Sequence, residues 1–419
     1  MEFEISKSNC KYCLKEIFFS SQECNLGYHI ECKIEIDNFN SGKYQGYFID
    51  GKELDALKSL EELFDSKFGS VPIQDQFSIR KVGVTIRNHH VESINLVHLK
   101  LKVLPEYIKD FKELKILSCT NNNLKYLPQW ISQLTKLEHI DFDSNSIESI
   151  PEIFEHLENL TLLSLGNNKL EVLPDSIAFL KNLKTMYFHN NNLSIFPEVI
   201  FELQSLETLF LSNNKLNSIP LSVNKLAKCT TINLLKNKFI EFPKQLFNCL
   251  NLKKLNLSFN DITELPSDID KLTNLEEIRL YKNKLQSIDN LFLCKKLSII
   301  DIGSNEVQSI DPMIKNLTLL RSLSMDCNLL EKLPKEIGYL KSLHTLSIES
   351  NRLRELPQEI NLLESLRYLR LQNNYLTRLP DNLKGLRRLR KVFIMRNRIW
   401  WIPSELRYKT ELRGFYRAF

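Results

Sequence analysis

The chain repeats one pattern of apolar and polar positions over most of its 419 residues. In LKILSCTNNNLKYLP (114–128), LEHIDFDSNSIESIP (137–151) and LTLLSLGNNKLEVLP (160–174) the order is L-x-x-L-x-L-x-x-N-x-L-x-x-L-P. The Asn returns at Asn122, Asn145, Asn168, Asn191, Asn214, Asn237, Asn260, Asn283, Asn305, Asn328, Asn351, Asn374 and Asn397. Each step is 23 residues except the 22 from Asn283 to Asn305. Alternation in x-L-x-L-x predicts a short strand with one buried face. The Asn falls where the chain leaves that strand, and its amide can bond backbone groups there and in the next coil. Twelve of the 14 prolines, from Pro105 to Pro403, follow the last apolar position and forbid a continuing helix. The I-x-x-L-x-x-L stretch beyond them turns apolar side chains back inward. One such unit cannot bury its apolar face alone, so the units must stack into one continuous core with parallel strands side by side.

The departures mark the ends and one irregular coil. The first unit, VESINLVHLKL (91–101), has Leu99 where Asn belongs. The 22-residue unit carries Asp289 in place of Pro, and the next delays its proline to Pro312. Residues 52–67 place Leu54, Leu57, Leu60, Leu63 and Phe64 at helical spacing, and 77–88 read as extended with Gly83 at a turn. A helix and hairpin over 41–90 are therefore expected to cover the open edge of the first coil. At the other end, LRGFYRAF (412–419) puts Arg417 at a core position, as a closing cap over 413–419 requires.

Over about 91–412 the chain resembles the leucine-rich repeat proteins, specifically the intracellular 23-residue L-P-x-x-I class to which Ras-group scaffolds belong. The resemblance implies an α/β solenoid, a horseshoe with its parallel sheet on the concave face. It also implies a non-catalytic scaffold or adaptor that binds a protein partner, with a small GTPase or its regulator as the partner class.

Four residues near the start have a different chemistry. Cys10, Cys13, His29 and Cys32 are spaced C-x2-C-x15-H-x2-C. A Cys pair on a tight knuckle and an H-x2-C at a helix start can complete a tetrahedron around one Zn2+, structural because all four positions are filled. This resembles a treble-clef zinc finger, set in a small module over 1–40. Unlinked thiols and a surface His are the plain alternative, and Cys24 remains a spare. The next Cys is Cys119, so a two-zinc RING has too few ligands.

Composition narrows the function. Eleven Gly, with no G-x4-G-K-[ST], G-x-S-x-G or H-E-x-x-H, argue against phosphate-loop, hydrolase and zinc-protease chemistry. Asp141 and Asp143 share a strand face, but on an open sheet they read as a solvated or partner-facing pair rather than an acid–base couple. The reading is no enzyme, no membrane span, and, from an odd count of nine Cys with none paired at the chain's far end and a start without a basic-then-apolar pattern, a cytoplasmic location. Charge is uneven: 13 of the 17 Arg lie in 351–419, densest in GLRRLRK (385–391). An anionic-ligand or nucleic-acid binder using this end and the zinc finger is the alternative reading. The plainer one is a solvated surface giving weak, salt-sensitive polyanion binding, since no aromatic pattern accompanies the arginines.

Two positions per strand project into the expected hollow, and most hold small or polar residues. Tyr187, His189, Phe210, Leu235, Arg279 and Tyr281, with Phe259 one place further on, break that rule. Large side chains of these types anchor interfaces, so these seven form the expected partner-binding patch.

Overall fold

A computed structural model describes residues 49–64, 82–402 and Leu406 in full, with the backbone of strands Ser6–Asn9, Glu16–Phe19, Ser41–Tyr44, Tyr47–Asp50, Gly69–Ser70 and Thr410–Glu411. The chain divides into two units, Met1–Asn191 and Asn192–Phe419. The division falls inside the repeat array. Each unit is built from the same coil.

Within a coil the strand is three residues long. In the first unit Ile116–Ser118, His139–Asp141, Leu162–Ser164 and Thr185–Tyr187 pair in parallel at a constant register. In the second unit the parallel sheet runs from Thr208–Phe210 through eight more coils to Lys391–Phe393. The middle residue of each strand points inward and is buried, as at Leu163, Leu255 and Leu346. Each fully buried Leu of these ladders contributes on the order of 2 kcal/mol of transfer free energy.

After the strand the backbone turns through a left-handed residue, with φ between 52° and 57° from Asn121 to Arg396. The buried Asn follows it. Asn237 shows the pattern: its Nδ2 donates to Leu211 O and Leu234 O at 3.0 Å, and its Oδ1 accepts from Leu216 N at 3.0 Å. One side chain thus satisfies backbone groups of its own coil and of the coil before it, which no strand or helix partner reaches. The prolines then open short 3-10 turns, such as Asp175–Phe179 after Pro174 and Lys335–Tyr339 after Pro334.

The short coil is absorbed between Asn283 and the strand Ile299–Asp301. Glu277 pairs with Ile299, and the side-chain bond from Leu285 N to Asn305 Oδ1 is kept at 3.0 Å. Asp289 replaces the missing proline with polar capping: its N–H donates to Ser287 Oγ at 3.1 Å, and its Oδ1 accepts from Asp311 N at 3.2 Å. In the next coil Asp311 Oδ1 accepts from Met313 N at 2.7 Å, capping the turn that Pro312 starts.

The first unit opens with the helix Gly51–Phe64, capped by Asp50 Oδ1 accepting from Lys52 N at 2.9 Å. Leu54, Leu57 and Leu60 are buried as the spacing predicts, whereas Leu63 is 57% exposed because it lies a turn beyond the packed stretch. The hairpin is Gly83–Arg87 against His90–Asn95. Gly83 begins a strand rather than making the turn, a correction to the sequence reading. The turn is Asn88–His89, both at positive φ, a conformation that Asn tolerates. His90–Asn95 then pairs in parallel with Ile116–Ser118 and so joins the cap to the repeats. Glu53 is a feature the sequence did not flag. It is 2% exposed, accepts from Val91 N at 2.7 Å, and lies 3.2 Å from His90 Nδ1.

Candidate functional site

The outward face of each sheet is where the coil leaves side chains free to vary. In the first unit that face is polar. Asp143 Oδ1 accepts from Ser164 Oγ and from Gly166 N, both at 2.6 Å. Asp326 repeats this in the second unit, its Oδ1 accepting from Ser347 Oγ at 2.7 Å and Glu349 N at 2.6 Å. These carboxylates clamp one strand to the next. Asp141, beside Asp143, accepts from Asp143 N at 3.1 Å; burial first, and the neighbouring carboxylate second, push its pKa up to about 7. Both stay half-exposed on the outward face, with side-chain hydrogen bonds within and between strands that residue spacing does not report.

Tyr187 and His189 belong to the first unit. His189 lies flat over Gly166, where a Cβ would collide with its ring. Its Nε2 is 3.1 Å from Asn167 Nδ2 and 3.7 Å from Asp143 Oδ2.

The second unit holds Phe210, Leu235, Phe259, Arg279 and Tyr281. Phe210 and Leu235 are half-buried in neighbouring coils, and the Leu235 N–H donates to Asn233 Oδ1 at 3.0 Å. Phe259 and Tyr281 pack with ring centres 5.4 Å apart and planes tilted by 46°, and Lys282 Nζ lies 5.0 Å from the centre of the Phe259 ring. Tyr281 extends over Gly303, where a Cβ would sit 2.8 Å from the ring. Arg279 is held by Glu277 on its own strand, Nε to Oε1 2.6 Å, so its charge is partly neutralised.

Phe259 stands apart for a backbone reason. It occupies the left-handed position of its coil, φ 55°, where every other coil from Asn121 to Arg396 places Asn, Ser, Lys, Cys or Arg. A bulky side chain there is an outlier, costing on the order of 1 kcal/mol. It is also 39% exposed. Sequence register places Phe259 next to the patch but carries no sign of this strain.

Cys10, Cys13, His29 and Cys32 lie outside the described residues, as do Arg417 and the expected cap 413–419. Among the described residues no group of three or more His, Cys, Asp and Glu is placed to hold a metal. No helix among them is long and apolar enough to cross a membrane. Their cysteines, Cys119, Cys229, Cys249, Cys294 and Cys327, are free thiols. Burial pushes Cys229 up to about 12 and Cys249 up to about 11, so these two are packing residues rather than nucleophiles.

Arginines and aromatic rings do meet near the end of the chain, contrary to the sequence reading. Arg398 lies 5.1 Å from the Tyr375 ring centre and Arg370 5.6 Å from that of Phe393. These pairs stand 23 residues apart, so linear clustering misses them.

Comparison with known families agrees with the coil. A family described as leucine-rich repeat region matches residues 294–417, leucine rich repeat 158–216, leucine rich repeats in two copies 250–293, and a single leucine rich repeat 136–157. No curated protein matches the chain. Among solved structures, a leucine-rich repeat protein of Leptospira interrogans is similar at 28% identity and a TM-score of 0.62, covering 79% of this chain and 95% of that one. An internalin of Listeria monocytogenes shares the fold at 23% identity and a TM-score of 0.64, covering 72% and 88%. The Toll–Spätzle complex of Drosophila contains a similar chain at 27% identity and a TM-score of 0.63. It aligns over 74% of this chain, which spans 44% of that one. With the coil, the Asn ladder and the family matches in agreement, the chain belongs to the leucine-rich repeat proteins.

Proposed function

We propose that the protein is a non-catalytic scaffold or adaptor that docks a protein partner on the outward, concave face of its sheet, with Phe210, Leu235, Phe259 and Tyr281 of the second unit as the anchor. The observation that carries this is Phe259. A phenylalanine at a left-handed backbone position, more than a third exposed, costs stability where the Asn that five other coils place there costs less. Its tilted contact with Tyr281, beside Lys282, presents an aromatic surface edged by a cation, the residue types that dominate interfaces. The leucine-rich repeat fold favours protein partners, and the Toll–Spätzle complex contains a similar chain. The partner class is a small GTPase or its regulator, on the resemblance to the Ras-group scaffolds. The location is cytoplasmic, in keeping with the free thiols of the repeats. One structural Zn2+ held by Cys10, Cys13, His29 and Cys32 supports the start of the chain; their spacing fits a tetrahedral site.

Phe259→Asn separates the two roles of this residue. It relieves the strained backbone, so stability should rise by about 0.5–1 kcal/mol. It removes the anchor, so capture of protein partners from native lysate, and of purified Ras-type GTPases, should fall at least about thirtyfold. Lost stability with unchanged capture would show that Phe259 serves packing alone.

A further inference from the structure

One edge of the second unit gathers charge and aromatic surface that the partner face does not use. Residues 351–402 contain twelve Lys and Arg against four Asp and Glu. The N–H groups of Arg352, Tyr375 and Arg398 donate to Leu330, Leu353 and Leu376 O at 2.8–2.9 Å, so these three residues hold the same place in successive coils. Two residues further on, Arg354, Thr377 and Trp400 form the next row, and Glu355, Arg378 and Trp401 the one after. Between the first two rows Leu353, Leu376 and Ile399 are buried, so the rows are the outer edge of the same turn.

Glu355 is the one carboxylate among these nine positions. Among the described residues no carboxylate lies within ion-pairing distance of Arg352, Arg354, Arg378 or Arg398. Among those residues no carboxylate neutralises these four cations, and of the four only Arg398 has a ring contact with the neighbouring coil, at Tyr375. Beside them Trp400 is 77% exposed and Trp401 41% exposed. Two adjacent indoles left in water next to guanidinium groups without a carboxylate partner match a surface that is anionic outside and apolar beneath. An indole sits at the headgroup level of a bilayer with its ring in the apolar layer and its N–H wet, and guanidinium groups pair with lipid phosphates. Single-stranded nucleic acid fits less well. It needs free rings at successive base positions along a groove, whereas the Tyr375 face already carries Arg398, and the free rings are two consecutive residues at one end.

We propose that this edge docks the protein on a membrane surface bearing anionic phospholipid, with Trp400 and Trp401 entering the headgroup layer and the four arginines on its phosphates. The test uses the full chain with vesicles of phosphatidylcholine alone, or with about a third phosphatidylserine. Because two of the three tryptophans lie here, emission reports their environment directly. Co-sedimentation and a blue-shifted emission are expected only with phosphatidylserine, and both should weaken as salt rises. Trp400→Ser with Trp401→Ser should abolish the shift with far-UV circular dichroism unchanged. Arg378→Gln with Arg398→Gln should lower partitioning about 25-fold, about fivefold for each charge removed. Phe259→Asn should leave vesicle binding unaltered, which separates this edge from the partner face. The proposal is overturned by absence of sedimentation with phosphatidylserine vesicles, or by sedimentation that the Trp and Arg substitutions leave intact. Tighter, Trp-dependent retention on a single-stranded oligonucleotide than on vesicles also overturns it.

Discussion

Replacing Asn260 by Ala tests the ladder on which the fold depends. Asn260 is 7% exposed, and its Oδ1 accepts from Phe239 N at 3.0 Å. Its Nδ2 donates to Leu234 O at 3.1 Å and Leu257 O at 2.9 Å. The losses are unequal. Leu234 O keeps a second donor in Asn237 Nδ2 at 3.0 Å, and Leu257 O keeps Asn283 Nδ2 at 3.0 Å. Phe239 N–H keeps no partner. One orphaned buried donor costs about 1–3 kcal/mol, and two weakened carbonyls add roughly half a kcal/mol each, for a total of about 3 kcal/mol. The control is Asn251→Ala. Asn251 Nδ2 also donates across coils, to Ala227 O at 2.8 Å, but in an exposed position, so its loss should cost under about 1 kcal/mol. Asn260→Asp should be worse than Ala, because it sets a carboxylate against carbonyl oxygens. Urea unfolding followed by circular dichroism gives the difference, and hydrogen exchange at Phe239 N–H reads the orphaned group itself. Asn260→Ala and Asn251→Ala costing the same, with Phe239 exchange unchanged, would refute the ladder as a source of stability.

Three further outcomes follow from named groups. Asp141 is held up to about 7 by burial and then by Asp143, so the folded state keeps a proton that the unfolded chain releases near its ordinary 3.8. Its contribution is fully present below that lower value and lost as pH rises through about 7, at most about 4 kcal/mol. Asp141→Asn should flatten this slope in pH-dependent urea titrations, leaving the slope of the same sign from Glu53, which burial also raises to about 7. Gly385→Ala should cost about 1–3 kcal/mol in thermal or urea unfolding, because the added Cβ meets the backbone oxygen of Asn361. Metal analysis of the purified protein should find one zinc per chain, and Cys10→Ser with Cys13→Ser should remove it; zinc content well below one in the wild type would sink that assignment.

The 13 periodic Asn, the inward Leu rows and the placement of the prolines were legible because stacked coils touch at a fixed sequence offset. Asn237 meets Leu216 twenty-one residues back and Leu211 twenty-six back, and the same offsets recur through most of the array. Contacts that recur at one offset can be read from periodicity alone. The same logic placed Tyr187, Phe210, Leu235, Arg279 and Tyr281 on the outward face, because strand alternation decides facing. It could not say what those side chains do once there. Asp143 turns sideways onto Ser164 and Gly166, Arg279 folds back onto Glu277, and Glu53 is sealed beneath His90 and Val91. Phe259 takes a backbone angle that its residue type disfavours. Rotamer choice, desolvation and local backbone strain depend on the full set of neighbours in three dimensions. The aromatic–arginine edge at Tyr375, Arg398 and Trp400 also emerges only when separate coils are laid side by side, since its cations and rings belong to different repeats.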